Sequence, residues 1–198
     1  MLFRGDCMNI GCVIMASGLG KRFGGNKLLC DFHGEPMIQR ILDATGAVPF
    51  AARVVVTRYP EVAQICQLQR ISCVLHDLPL RSDTVRLGVE RLSADCPELD
   101  GILFAAADQP RLKAERIAAL CGAFRENPIS ICRLSFQGTP GSPVLFPRHC
   151  FDELLHLPEG KGGSAIINAH PELVRLIEVS DPRELMDADT PQALEQLL

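Results

Sequence analysis

Residues 9–16, Asn-Ile-Gly-Cys-Val-Ile-Met-Ala, form a nearly unbroken apolar run, and the eleven residues after it hold four glycines and three cations. A strand that is apolar at almost every position must be covered on both faces, as in the middle of a parallel sheet flanked by helices. Few architectures begin this way, and the rest of the chain keeps to them. Apolar runs at residues 52–57, 72–75, 101–106 and 129–134 alternate with helical patterns at 37–44, 61–69, 82–92 and 113–125. Pro36 is expected to open the helix at 37–44, and Ser82 or Asp83 to cap the one at 82–92. Beyond residue 134 the pattern loosens. It reads as a Gly-Thr-Pro-Gly-Ser-Pro turn, a strand at 144–146, helices near Phe151 and Ser164, a strand at 173–179 and a last helix from Thr190. The expected fold is a single three-layer α/β/α domain over residues 1–198 with a mostly parallel sheet.

Composition removes several functions. A net charge of -4 has the wrong sign for a nucleic-acid surface. No apolar stretch approaches the ~20 residues of a membrane span. Residues 1–7 contain Arg4 and Asp6 and lack a signal-peptide core, and Met8 is as good a start as Met1, so a cytoplasmic setting is expected. The 9 cysteines form no CxxC pair and lie mostly in apolar stretches, which reads as buried reduced thiols. The histidines have no metal-ligand spacing.

Ligands of parallel sheets collect at the carboxyl ends of the strands, which selects residues 17–27, 81–86 and 108–110. In the first, Gly18, Gly20, Gly24 and Gly25 permit positive φ and close approach of backbone N–H groups to an anion. Lys21, Arg22 and Lys27 supply cationic donors for a triphosphate. A dinucleotide fingerprint fails at Phe23, and a Walker A loop fails because Arg22 follows Gly20-Lys21. As a loop residue, Lys27 is expected to matter more to turnover than to stability. Asp108 closes the strand at 101–106, where a carboxylate beside phosphates holds Mg²⁺ or, alternatively, serves as a turn or helix cap. Asp189 precedes Thr190-Pro191 and reads equally as a metal ligand or as the cap of the last helix. At 81–86, Ser82, Asp83 and Thr84 can read a pyrimidine edge and Arg86 a phosphate, or the segment is an ordinary cap with a solvated arginine.

Taken together, these motifs resemble the molybdenum cofactor nucleotidyltransferase family, whose opening pattern is approximately Leu-Ala-Ala-Gly-x-Gly-x-Arg-Phe/Met-Gly-x-x-Lys-Leu-Leu. Gly18, Gly20, Arg22, Phe23, Gly24, Lys27, Leu28 and Leu29 match it. The likeness continues through Gly34-Glu35-Pro36-Met37, Asp108-Gln109-Pro110, Gly141-Ser142-Pro143-Val144-Leu145-Phe146 and Asp187-Ala188-Asp189-Thr190-Pro191. Phe23-Gly24-Gly25 and Asp108-Gln109-Pro110 are nearer the cytidylyltransferase branch. Departures fall at Ser17, Glu35, Ala107 and Ser164.

The resemblance implies a Rossmann-like nucleotidyltransferase fold of GT-A type, with a nucleotide half at about residues 8–125 and an acceptor half at about 126–198. It implies Mg²⁺-dependent transfer of CMP from CTP to a molybdopterin-type cofactor, with release of pyrophosphate. Lys27, Arg22 and Asp108 would be catalytic, and Asp108 and Asp189 would hold the metal. Ala16, Ser17, Gly18, Gly20, Lys21, Phe23, Ser82, Asp83, Thr84 and Arg86 would bind nucleotide, and Gly141, Ser142 and Pro143 the acceptor. The implied partners are CTP or another NTP, a phosphorylated pterin and a molybdenum hydroxylase. Two alternatives stay open: a transferase using GTP or a sugar or polyol phosphate, and a non-catalytic accessory protein that binds nucleotide or pterin.

Overall fold

The structure is a computed structural model that describes residues 8–20 and 22–198. Expectations for residues 1–7 and for Lys21 lie outside the described residues. The strands are β1 (Ile10–Ala16), β2 (Asp31–Phe32), β3 (Glu35–Pro36), β4 (Ala52–Thr57), β5 (Ser72–Leu75), β6 (Gly101–Ala106), β7 (Ile131–Phe136), β8 (Thr139–Pro147) and β9 (Val174–Glu178). The α-helices are α1 (Ile38–Gly46), α2 (Pro60–Leu68), α3 (Arg81–Asp95), α4 (Ala114–Glu126), α5 (Phe151–Leu155), α6 (Ser164–Ala169) and α7 (Pro191–Leu197).

Seven strands form one sheet in the order β5-β4-β1-β6-β8-β7-β9, while β2 and β3 make a separate hairpin. β1 pairs in parallel with β4 and β6, β4 with β5, and β7 with β9; only β8 runs antiparallel to its neighbours. β1 lies inside the sheet, between β4 and β6, because its side chains alternate between two apolar layers. Cys12 and Ile14 enter a core with Ile38, Ile41, Leu103 and Ile117. Val13 enters the opposite core with Val54, Val56, Val85 and Leu92. Helices α1, α2, α4 and α7 contribute to the first layer, and α3, α5 and α6 to the second. Each fully buried Val, Leu or Ile contributes about 1.5–3 kcal/mol relative to exposure, so both faces of the sheet are strongly specified. No helix among the described residues is long and apolar enough to cross a membrane.

Three local expectations are corrected. The Gly-Thr-Pro-Gly-Ser-Pro segment is not a free turn: Thr139 already pairs with Phe136, and β8 runs from there to Pro147. Its prolines sit beside a register shift between Arg133 and Ser135, where the ladder loses bonds that proline could not donate. Pro36 pairs with Asp31 in the hairpin, and α1 starts two residues later at Ile38. Helix α3 starts at Arg81 after Leu80. Asp83 acts from inside the first turn, where its Oδ2 accepts from the Leu80 N–H at 3.2 Å.

Candidate active site

The carboxyl ends of β1, β4 and β6 border a cleft of about 530 Å³. Its floor is Met15, Ala16, Ala106 and Ala107, and the glycine loop folds over one side. Gly20, at φ 58°, accepts from the Phe23 and Gly24 N–H groups at 2.9 and 3.0 Å. A Cβ at Gly20 would stand 2.1 Å from the Gly25 carbonyl oxygen, so only glycine fits. Phe23 packs half-buried against the core. Asn26 then accepts from the Leu28 N–H at 3.2 Å, which starts the short 3₁₀ turn Lys27–Leu29. Within that turn Lys27 is buried, with 8% of its surface exposed.

The Lys27 ammonium is the hub of the site. Its Nζ donates to Asp108 Oδ2 at 2.6 Å and to Asp189 Oδ1 at 2.8 Å. The exposed Arg22 guanidinium donates to the other oxygen of Asp189 at 2.5 Å. Burial alone would lower the Lys27 pKa, but hydrogen bonds and charge from Asp108, then Asp189, outweigh it and raise it. The hydrogen bond from Lys27 pulls the Asp189 carboxyl below its ordinary value, with help from Arg22. Asp187 lies beside them at the surface of the cleft. The protein crowded around its carboxyl, followed by repulsion from Asp108, raises its pKa.

Segments far apart in the chain meet here for reasons visible in the backbone. The Ala188 N–H donates to the Asp108 carbonyl at 2.8 Å, and Gln109 Nε2 donates to the Leu185 carbonyl at 3.0 Å. These bonds bring residues 185–189 against the end of β6. Thr190, not Asp189, caps α7: its Oγ1 accepts from the Ala193 N–H at 3.1 Å. Asp108 caps no helix either, because α4 begins after Lys113. Both carboxylates are therefore left to the cleft.

Other residues named from the sequence are distributed less uniformly. Ala16, Ser17, Gly18, Arg22, Lys27, Thr84, Asp108 and Asp189 line the cleft. Gly20 and Phe23 shape the loop from outside its lining. Ser82 accepts from the Gly160 N–H at 3.2 Å, and Arg86 pairs with Glu90 at 3.0 Å. The edge assigned to Ser82, Asp83 and Arg86 is instead lined by Arg58, Pro79, Leu80, Arg81 and Thr84.

Arg58, Tyr59 and His76 were not singled out, although Arg58 and Tyr59 follow a buried strand directly. Arg58 Nε donates to the Ser17 carbonyl at 2.7 Å, and the Tyr59 hydroxyl donates to the Gly18 carbonyl at 2.6 Å. Ser17 Oγ donates to the Val56 carbonyl at 3.0 Å and lies 2.8 Å from His76 Nε2. With its hydrogen committed to that carbonyl, the hydroxyl accepts from His76, which assigns the proton to Nε2. Burial first, then the Arg58 charge, lowers the His76 pKa and keeps the ring neutral.

A second cavity of about 210 Å³ adjoins the first and shares Met15, Arg81 and Ala106 with it. Gly141 and Ser142 line it, whereas Pro143, joined to Ser142 by a cis peptide, does not. The half-buried Arg133 reaches into it, and desolvation lowers the pKa of this guanidinium.

Asp108 and Asp189 offer carboxylate oxygens converging on one cation, the donor chemistry that Mg²⁺ takes. Among the described residues no group of three or more His, Cys, Asp and Glu side chains is placed to hold a metal. A hard divalent ion here would complete its shell with water and phosphate oxygens, as Mg²⁺ commonly does.

A profile of the MobA-like NTP transferase domain matches residues 12–174. The 3-deoxy-manno-octulosonate cytidylyltransferase of Neisseria meningitidis is 25% identical over 130 residues, covering 66% of this chain and 47% of that protein. The chain thus spans about half the length of the cytidylyltransferases it matches. Purine catabolism protein PucB of Bacillus subtilis is 26% identical over 196 residues, 91% of each chain. Among solved structures, Rv0371c of Mycobacterium tuberculosis superposes with a TM-score of 0.81 at 22% identity, covering 96% of this chain and 98% of that one. A complex of Rv0371C with manganese superposes with a TM-score of 0.78 at 20% identity, over 96% and 98% of the two chains.

Proposed function

The chain belongs to the family of MobA-like NTP transferase domains, and on that premise we propose that it transfers CMP from CTP to the phosphate of a molybdopterin-type cofactor. In this reaction an acceptor phosphate oxygen forms a bond to the α-phosphorus of CTP, the bond from that phosphorus to the bridging oxygen breaks, and pyrophosphate leaves. An acceptor phosphate is already an anionic nucleophile, so the protein needs no Ser-His or Cys-His activation. Its work is positioning and charge neutralisation.

The observation that carries the reading is the buried Lys27 held between Asp108 and Asp189 beside the glycine loop. Lys27 keeps its proton and carries a fixed positive charge next to the place where phosphate charge develops. Arg22, exposed at the mouth, can exchange Asp189 for a phosphate at small cost, because surface ion pairs are weak. Lys21 is assigned to the outer phosphates from the sequence pattern. Asp108 and Asp189 would hold Mg²⁺, which when bound neutralises phosphate charge. Arg58 and Tyr59 hold the start of the loop by the Ser17 and Gly18 carbonyls, and backbone N–H groups of this loop would receive the phosphates. The proposed setting is cytoplasmic, with a molybdenum hydroxylase as the final recipient of the product.

Use of CTP is supported by the Neisseria relative, which is named a cytidylyltransferase. The test is incubation with Mg²⁺, molybdopterin and each NTP, with pyrophosphate release measured. CTP should give the fastest release. A clear preference for GTP would move the chain to guanylyl transfer, and no release with any NTP would support the accessory-protein reading.

A further inference from the structure

Consecutive side chains at the end of β4 donate to consecutive carbonyls at the end of β1. Thr57 Oγ1 donates to Ala16 at 3.0 Å, Arg58 Nε to Ser17 at 2.7 Å and the Tyr59 hydroxyl to Gly18 at 2.6 Å. The pairing of β1 with β4 ends at Ala16 and Thr57, so side chains take over from the ladder just where the chain enters the cleft. Arg58 Nη2 also donates to the Leu78 carbonyl at 2.9 Å, beside Pro79 and Leu80 of the cleft lining. Among the described residues no carboxylate pairs with Arg58, and its partners are backbone carbonyls.

These bonds sort donors from acceptors. The Ser17 and Gly18 carbonyls are committed, and so is the Ser17 hydroxyl, held between the Val56 carbonyl and His76. The N–H groups of Ser17 and Gly18 have no hydrogen-bond partner among the described residues, and both residues line the larger cleft. A trans peptide is planar with N–H and C=O on opposite sides. Holding the Ala16 and Ser17 carbonyls therefore also fixes the directions of the Ser17 and Gly18 N–H groups.

Lys27 and Arg22, farther along the loop, are assigned to the phosphates, which leaves the edge beside Arg58, Pro79, Leu80 and Thr84 for the base. Cytosine suits an edge made of donors, because its O2 and N3 are adjacent acceptors on the Watson–Crick side. Uracil places an N3–H between two carbonyls, and guanine presents N1–H and an amino group. A donor facing a donor leaves both unpaired, and a site rejects a ligand that leaves its polar groups unpaired.

We infer that Arg58 and Tyr59 are positioning residues that set the choice of base, by keeping N–H groups rather than carbonyls of residues 17–18 on offer to its Watson–Crick edge. Once released, the peptide at Gly18 can turn, because glycine has no side chain to hinder it, and present a carbonyl that accepts from uracil N3–H. The inference rests on the proposed reaction only in placing the nucleotide in this cleft.

Binding of CTP and of UTP to the full chain in Mg²⁺, without acceptor, measured by isothermal titration calorimetry, tests it. The two nucleotides share ring size, sugar and phosphates and differ in the base edge. The wild type should bind CTP about tenfold or more tightly, the consequence of one donor left unpaired by UTP. Tyr59→Phe, which removes one hydroxyl, should narrow the ratio to about threefold, and Arg58→Met, which frees two carbonyls, to near parity. Arg58→Lys should fall between, since an ammonium can hold one of the two. A purely structural role would weaken both nucleotides alike and leave the ratio unmoved. Equal affinity of the wild type for CTP and UTP would overturn the inference, as would a ratio that survives Tyr59→Phe and Arg58→Met. If Arg58→Met fails to fold, Tyr59→Phe decides alone. If the ratio follows these residues while CMP transfer to molybdopterin fails, the proposed reaction falls and the roles of Arg58 and Tyr59 stand. If transfer succeeds with the ratio unmoved, the inference alone falls.

Discussion

In the larger cleft the central charges are paired before any ligand arrives. Lys27 holds Asp108 and Asp189, Arg22 holds the far side of Asp189, and Arg58 and Tyr59 hold the loop by its carbonyls. In the smaller cavity Arg133 donates only to the Gly141 carbonyl, and the walls mix Val85, Phe104, Val144 and Phe146 with Arg81, Ser142 and Ser164. The contrast separates two tasks. A site that must stabilise charge developing in a transition state gains from groups already fixed, because no reorganisation is then needed during reaction. A site that must choose a partner gains from a charge left unmet, because the wrong partner leaves it unmet.

The largest expected effect is in the paired cleft. Asp108→Asn should lower turnover by about three decades, roughly 4 kcal/mol of transition-state stabilisation, while the chain still folds. Asparagine keeps an oxygen but removes the charge that both Lys27 and a divalent ion require. Asp189→Asn should cost about one decade, since its side chain is 35% exposed against 22% for Asp108. Steady-state pyrophosphate release measures both. A larger loss at Asp189 would reverse the assignment of the main metal ligand.

Lys27→Met comes next, with a loss of about two decades in turnover, roughly 3 kcal/mol. Burial of Lys27 alters the expectation that a loop lysine matters little to stability. Its removal leaves two carboxylates facing each other, which should cost about 1–3 kcal/mol, less than a fully buried pair because Asp189 is a third exposed. Adding Asp108→Asn to Lys27→Met should restore part of the unfolding free energy and none of the activity. Denaturant melts of the two single variants and the double variant close the cycle. Full stability of Lys27→Met would mean that the clamp does not brace the fold.

The same division decides what could be read in the sequence. Residues 52–57 and 101–106 coincide with β4 and β6, because strands covered on both faces are apolar at most positions, and residues 72–75 coincide with the partly buried edge strand β5. The start of β8 was hidden because Pro140, Gly141 and Pro143 are turn formers by local preference, and only pairing with β7 and β6 makes a strand of them. In the larger cleft, Lys27, Asp108 and Asp189 were legible from loop chemistry at strand ends. Their mutual contact was not, since it depends on Ala188 bonding to the Asp108 carbonyl across the fold. Arg58 obeys the same strand-end rule and follows a run as clear as the first. Arg133 gave no signal at all: an arginine inside a strand of mixed polarity acquires meaning only when β8 brings Gly141 beside it.

The smallest expected effect concerns the neutral contact behind the glycine loop, and it asks whether pairing in the larger cleft extends beyond its charges. His76 donates from Nε2 to Ser17, and burial holds its folded pKa below the ordinary 6.5. As pH falls, the unfolded chain therefore takes up this proton before the folded one does. Stability from neutral His76 is fully present above that ordinary value and declines as the pH drops through it. His76→Gln keeps an N–H donor for Ser17 and removes the titration. The gap between wild-type and His76→Gln melting midpoints should then narrow between about pH 7.5 and about pH 5.5. The other histidines are common to both proteins and cancel in the difference. A gap that stays constant across this range would show that the Ser17 contact does not depend on a neutral ring, and the pairing of this cleft would end at its ions.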